Sequence, residues 1–511
     1  MYQKITKTLT YFYIVPLFAM IFFNTINSLL RTTYFDQYRD VEVAMYRWDS
    51  PVIVLFWIVI ILGGIGFIHK KSTLSSLHLN RASLIFAGLF CLYFILLFRA
   101  EVTCDSSLIS KLVIEFMHEN YTAFSQGGYL YSYSFQIGFA ALLELIYRLF
   151  GVENYITFQI LNILSILIIL HFLNKITKEL FDEEAILKLE SVLSFGMLPL
   201  FLFSTFVYGD IIGWSFGICA MYCIIRYLKM PSIKYIIITG LLFTFGTLIK
   251  SNINILVVAA SIALFLYSIE RKHYLSLLWI PILFLFSQIG VWGINYYYTL
   301  RAGLEEYPAG IPKIAWIAMS FQEADENGWA CGWYNAYNWN VYVNNNYDRA
   351  KVTQDCLESL KESFYRFFHE QRYAINYFYK KFTSQWNAPT FQSMITNEWA
   401  TRHVENLSSM AVFFIYGLGY RILYSLMNIF HFFIFLCSSC FFIKERKKWS
   451  LPKAYYLLNI FGGFLFHMLW EAQSRYILGY FVIMLPMAAC GCYHLLNFIH
   501  QQISKRAMSP K

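Results

Sequence analysis

The chain has 511 residues, of which 58% are hydrophobic and 20% aromatic but only 14% charged. A soluble protein carries roughly a quarter charged residues, so the deficit, together with repeated long apolar runs, excludes an ordinary soluble enzyme and places the chain in a bilayer. The formal net charge of +9 would suggest nucleic acid in a soluble domain. Here Lys and Arg lie in short segments between apolar runs, which is a topology signal, and no nucleic-acid partner is expected.

In chain order, about twelve runs are long enough to span. They lie near 9–30, 52–68, 83–99, 155–173, 190–208, 211–228, 234–249, 253–269, 274–297, 421–443, 454–470 and 476–498. The first run is too long for a cleavable signal and reads as a retained spanning helix. If Lys4 and Lys7 are cytoplasmic, the segments holding Lys70 and Lys71, Lys175 to Lys188, Arg226 to Lys234, Arg271 and Lys272, Lys444 to Lys448, and Lys505 and Arg506 are all inward. That is the expected basic bias, and it puts both termini in the cytoplasm. The count requires Gln136 to Phe150, which holds Glu144 and Arg148, to lie along the membrane surface instead of crossing it.

The resulting organisation is an all-α polytopic membrane protein with juxtamembrane helices on the outer face and one large outer loop. Residues 1–82 form an added amino-terminal transmembrane hairpin. Residues 83–297 form the transmembrane core, with its first outer loop at 100–154. The large loop spans 298–410, and 411–511 hold the last spans and tail. A helical pattern runs from Asp348 to Lys381, and Ala411 to Leu423 reads as an interfacial helix. A loop of this length is usually functional.

The chain's ten cysteines show no metal spacing. A Cys331–Cys356 disulfide is the less favoured alternative to two thiols. His118, His369 and His403 are scattered, which argues against zinc. Asn120-Tyr121-Thr122 and Asn406-Leu407-Ser408 match a glycosylation sequon that often arises by chance. Aromatic and Asn residues from Asn327 to Asn335 suit either sugar binding or an interfacial resting place.

Four ionisable residues stand at span ends on the outer side. Asp105 follows a span and opens an apolar-faced helix, where it is either an N-cap or a general base. Asp210, in Val207-Tyr208-Gly209-Asp210, is either a turn residue or a functional carboxylate at the membrane boundary. Two such acids could also hold a divalent cation, Mg or Mn. Lys250 and Arg475 run against the inward bias of the other cations; they either snorkel or bind a lipid phosphate. Glu471 is placed to orient Arg475 through an ion pair.

These residues, with the Leu149-Phe150-Gly151 turn and the late Ser474-Arg475-Tyr476, resemble the GT-C superfamily of integral membrane glycosyltransferases. The resemblance is closest to the bacterial branch of protein mannosyltransferases and aminoarabinose transferases. It implies a sugar donor on a polyprenyl phosphate and transfer to a cell-envelope glycan, lipid or protein acceptor on the extracytoplasmic face of the cell membrane. It implies further that Asp105 is the catalytic base or an acceptor-orienting carboxylate, assisted by Asp210. Lys250 and Arg475 would bind the donor phosphate, with Glu471 and Tyr476 beside them. The chain departs from the pattern in its extra helix pair, whose Asp49 competes with Asp105 for the acid role, and in lacking a Pro-Pro after the loop. The rival readings are a polymerase or ligase using lipid-diphosphate oligosaccharides, and a flippase for lipid-linked sugars. Notable charges at span ends and the lack of a visible repeat argue against a transporter.

Overall fold

The computed structural model of the protein describes residues 2–36, 41–71, 74–323, 330–446 and 448–508. Asn327 to Trp329 and Lys447 lie outside the described residues, as do the side chains of Lys4, Lys70, Lys71 and Arg506 that entered the topology argument.

Helix α1 (Tyr2–Leu30) runs directly into strand β1 (Arg31–Phe35), which pairs antiparallel with β2 (Ala44–Trp48) in the register Arg31 to Trp48. Helices α2 (Pro51–Lys71) and α3 (Ser76–Phe98) follow, the latter starting earlier than 83 because Ser75 caps it. Segment 100–154 folds as α4 (Asp105–Met117) and α5 (Ile137–Phe150) with short turns between. The central helices are α6 (Tyr155–Phe181), α7 (Glu184–Ser194), α8 (Leu198–Leu202), α9 (Asp210–Lys229), α10 (Ile233–Ile249), α11 (Asn254–Arg271) and α12 (Trp279–Arg301). The large loop holds α13 (Ile314–Met319), α14 (Tyr337–Asn344), α15 (Arg349–His369), α16 (Gln371–Trp386), α17 (Ser393–Thr401) and α18 (Ser409–Ile415). The chain ends with α19 (Leu418–Glu445), α20 (Leu451–Leu469), α21 (Ser474–Val482) and α22 (Leu485–Met508).

Each expected span falls on a helix or a bent helix pair, but the count of twelve is not confirmed. Among the described residues seven helices are long and apolar enough to cross a membrane, or nine if two bent pairs are each one span. The bends are 46° after α7 and 57° between α21 and α22. Helices α2 and α10 carry shorter apolar stretches, and Lys453, Asn459 and His467 dilute α20. Helix α9 is the innermost span, with 83% of its apolar window buried, whereas only 11% of the Tyr274–Arg301 window is buried. The latter therefore offers most of its surface to lipid, which is the face an apolar helix can expose at no cost in hydrocarbon.

Helix α5 has 14 residues, too short to span, as the surface assignment requires. Its polar residues are not simply solvated, however. Glu144 is buried and holds Arg148 and Arg301, each at 2.7 Å, while accepting the Tyr298 hydroxyl at 2.5 Å. Arg301 also donates to the Phe116 carbonyl at 2.9 Å, so one carboxylate fastens α4 and α5 to the end of α12. The pattern expected over Asp348 to Lys381 is broken into α15 and α16 at Glu370. The interfacial helix expected over Ala411 to Leu423 is also two pieces: α18 stops at Ile415, and α19 starts after Gly417, whose tight fit against the Phe413 backbone marks the turn. Cys331 and Cys356 are thiols buried in separate small clusters, not a disulfide.

Candidate active site

The site is built where α9 begins. Its lead-in, residues 206–209, is non-helical backbone inside the bundle, where carbonyls need partners. Side-chain amides of α6 supply them. Gln159 donates to the carbonyls of Ala100 and Thr205, both at 2.9 Å, and Asn162 to those of Ser204 and Phe206 at 3.2 and 2.8 Å. This fixes Tyr208 and Asp210 relative to the start of the 100–154 segment.

Two glycines then bring α9 against the end of α10. A Cβ on Gly209 would sit 2.6 Å from the Ile249 carbonyl oxygen, and one on Gly213 would sit 2.6 Å from the Lys250 Cβ. With hydrogen in those places the helices close up, and Lys250 Nζ reaches Asp210 Oδ1 at 2.7 Å. Both side chains are nearly buried, at 11% and 8% exposure, so this is an interior ion pair and not a snorkelling lysine. The ammonium also lies 5.0 Å from the Tyr208 ring and 5.1 Å from that of Tyr476. Asp210 Oδ2 has no protein partner.

Arg475, in the first turn of α21, faces the same two tyrosines. Its guanidinium carbon is 5.3 Å from the Phe206 ring and 5.4 Å from those of Tyr208 and Tyr476. Its backbone N–H donates to Gln392 Oε1 and its Nη2 to Gln473 Oε1, each at 3.0 Å. The expected ion pair with Glu471 is not the contact made; Gln473 orients the guanidinium instead, and Nε remains without a protein partner. Glu471 is buried, and burial, reinforced by the charge of Glu42, pushes its carboxyl up to about 8 against the pull of Arg475.

Asp105 is not the N-cap of α4. Cys104 occupies that position, at φ 49°, and Ser106 Oγ ties the turn by accepting the Thr103 N–H at 3.1 Å and donating to the Thr103 carbonyl at 2.8 Å. The Asp105 carboxyl is therefore spared for other work, at a helix start whose dipole favours an anion. A left-handed residue other than glycine just before it is the kind of strain that persists where surrounding structure enforces it. Asp105 is exposed to solvent, yet enough protein surrounds its carboxyl to raise it above the ordinary range. The charges of Arg475 and Lys250 and the Tyr129 hydroxyl pull it back down. The carboxyl is thus open to solvent and within electrostatic reach of both cations. An apolar slot is lined by Ile169, Leu200, Ile211, Trp214 and Leu478 together with Asp210 and Arg475.

The structure thus brings together Asp105, Asp210, Lys250, Glu471, Arg475 and Tyr476. Asp49 is elsewhere: it accepts hydrogen bonds from Thr32 and from Asn428 (3.3 Å), with Arg47 at 3.6 Å, and fastens the hairpin to α19. Four participants were not anticipated: Tyr129, Gln392, Gln473 and, from the hairpin, Glu42. Tyr208 stood in the quoted Val207-Tyr208-Gly209-Asp210 motif, which was the available signal. For a divalent ion, the Lys250 ammonium already occupies one oxygen of Asp210 and leaves Oδ2 without a protein partner. Among the described residues the carboxylates here do not form a set of three ligand atoms within 4.8 Å; Glu445, Cys490 and His494 do, but two lysines already hold Glu445.

Residues 136–292, about a third of the chain, match the family model described as dolichyl-phosphate-mannose-protein mannosyltransferase. The match supports a membrane glycosyltransferase of the GT-C type. The matched segment contains Tyr208, Asp210 and Lys250, whereas Glu42, Asp105, Glu471 and Arg475 lie outside it. No curated protein and no solved structure matches the chain.

Proposed function

We propose that the protein transfers one sugar from a polyprenyl-phosphate donor to a hydroxyl of an extracytoplasmic glycan, lipid or protein acceptor, with inversion at the anomeric carbon. The acceptor O–H proton passes to the Asp105 carboxylate as the acceptor oxygen bonds to the anomeric carbon. The bond from that carbon to the phosphate oxygen breaks, and its electron pair leaves on the phosphate. Arg475, with an unpartnered Nε, and Lys250 stabilise the charge that grows there, which is electrostatic catalysis in a partly dehydrated site. Asp210 positions Lys250 through the 2.7 Å pair. The raised carboxyl of Asp105 suits a base working nearer neutrality than a free aspartate would. Both termini are assigned to the cytoplasm, with the site on the opposite face, because the intervening basic segments are then all inward.

The observation that carries this reading is that Lys250 and Arg475 both pack on the Tyr208 ring while their charges act on the Asp105 carboxyl. The test is to supply purified protein with polyprenyl-phosphate sugars and acceptor glycans, and to determine the anomeric configuration of the product by NMR. Inverted product with stoichiometric release of polyprenyl monophosphate is expected. Retained configuration, or turnover only with lipid-diphosphate oligosaccharides, would refute it.

A further inference from the structure

The hairpin after α1 lies outside the matched segment, yet it is seated firmly on the site. The Thr33 N–H donates to the Asn387 carbonyl at 3.0 Å, and Asn387 Nδ2 returns a bond to the Arg31 carbonyl at 2.6 Å. Phe35 packs on Trp333 with ring centroids 5.2 Å apart, in a small cluster with Ala388, Ile395 and Ala472. Ala472 in turn donates its N–H to the Gly332 carbonyl at 2.8 Å, so hairpin, outer loop and the approach to Arg475 are one packed unit.

Just before β2, Glu42 Oε1 accepts a hydrogen bond from Gln392 Nε2 at 3.0 Å. The same amide accepts the Arg475 backbone N–H through its oxygen, also at 3.0 Å. One side chain thereby fixes the distance between Glu42 and Arg475. Gln392 and Phe391 both stand in the left-handed region, at φ 66° and 47°, a strained pair at the junction of the two residues it connects. Glu42 is half-buried; burial raises its carboxyl above the ordinary range, the charge of Arg475 pulls it back down, and that of Asp105 adds to the rise.

We propose that Glu42 is a substrate-binding carboxylate for the donor sugar, accepting a hydrogen bond from a ring hydroxyl of the sugar whose lipid phosphate is held at Arg475. The proposal rests on the polyprenyl-phosphate reading above. Its chemistry follows from placement. A sugar joined to a phosphate at Arg475 must lie within a few ångströms of that cation, and Glu42 is tied to the same residue through Gln392. An acid there can orient the anomeric carbon for attack and favour the positive charge that develops on the sugar ring. An acid serving only to fasten the hairpin would not need its charge, since the Gln392 bond is available to a neutral amide.

The test compares binding of bare polyprenyl phosphate with binding of a panel of polyprenyl-phosphate hexoses and pentoses. It uses full-length wild-type protein, Glu42→Gln and Glu42→Ala in nanodiscs. Wild type should bind one sugar-bearing lipid at least tenfold more tightly than the bare lipid, and Glu42→Gln should lose about tenfold of that preference, the scale of one charge-assisted hydrogen bond. Binding of the bare lipid should stay unchanged. An intact sugar preference in both variants would overturn the proposal, as would equal loss of bare and sugar-bearing lipid, which marks a structural role. A wild-type protein that prefers no sugar-bearing lipid would refute the donor reading itself, and this proposal with it.

Discussion

The Lys250–Asp210 pair offers the sharpest energetic test of how the site is assembled. At 2.7 Å, with both side chains about nine-tenths buried, neither charge can be solvated if its partner is removed. Lys250 would be left between the Tyr208 and Tyr476 rings, whose faces offer only a weak substitute for a carboxylate. Breaking a buried pair costs roughly 3–5 kcal/mol. The residual exposure argues for the low end, so Asp210→Ala and Lys250→Met should each lose about 3 kcal/mol. The double variant removes both charges and should lose much less than the sum, with a coupling of about 2 kcal/mol or more. Unfolding in mixed micelles, followed by helical signal across a denaturant titration, measures all four corners of the cycle. Transfer activity should fall in all three variants, because the stability regained in the double variant does not restore a cation at the phosphate. Simple additivity within about 0.5 kcal/mol would show that the two side chains do not form an interior pair, and the placement of Lys250 would fail with it.

Other outcomes follow from the same geometry. Glu471 has a folded-state carboxyl raised to about 8 by burial, so its favourable neutral state is fully present at acid pH and is lost as pH rises through that value. Thermal melts of Glu471→Gln against wild type should therefore show an advantage for the variant that grows from about pH 4.3, the ordinary glutamate value, to about 8 and then levels off. A pH-independent difference would contradict the burial. Glu144 works with the opposite sign: Tyr298, Arg148 and Arg301 hold its carboxyl below the ordinary range despite burial. Its contribution is present at neutral pH and lost as pH falls through that depressed value, so the deficit of Glu144→Gln should shrink only below about pH 4. With the Lys250 ammonium holding Asp210 Oδ1, saturating chelator should leave the initial transfer rate within about twofold of the control, whereas a metal-dependent site would lose tenfold or more.

Much of the fold was legible because hydrocarbon thickness and backbone hydrogen bonding leave a spanning chain few options. Apolar runs located the helices, and the inward bias of Lys and Arg singled out Lys250 and Arg475 as exceptions. That α5 is a separate short helix was readable from Glu144 and Arg148, although their role in clamping α12 through Arg301 was not, since that partner is remote in sequence. The non-helical lead-in to α9 was illegible for a related reason: the amides that satisfy its carbonyls, Gln159 and Asn162, sit in another helix.

The hairpin was missed because strands of five residues, Arg31–Phe35 and Ala44–Trp48, lie inside what reads as a short polar connection. The same segment holds two acids: Asp49, the rival to Asp105 in the sequence, and Glu42, which the sequence did not single out. Strand pairing separates them: the Asp49 N–H bonds the Leu30 carbonyl at 2.9 Å at the base of the hairpin, whereas Glu42 lies beyond the far end of β2. Of the two, Glu42 is the one that reaches Gln392 and, through it, the Arg475 backbone.

The most direct test of the central claim is transfer by Asp105→Asn, which preserves shape and removes the proton acceptor. With a polyprenyl-phosphate sugar shown to bind, the variant should retain donor affinity within about threefold while its turnover falls at least a hundredfold, the usual lower scale for losing a general base. Wild-type turnover from that variant, at unchanged donor affinity, would show that the carboxylate within electrostatic reach of Arg475 and Lys250 does not take the acceptor's proton.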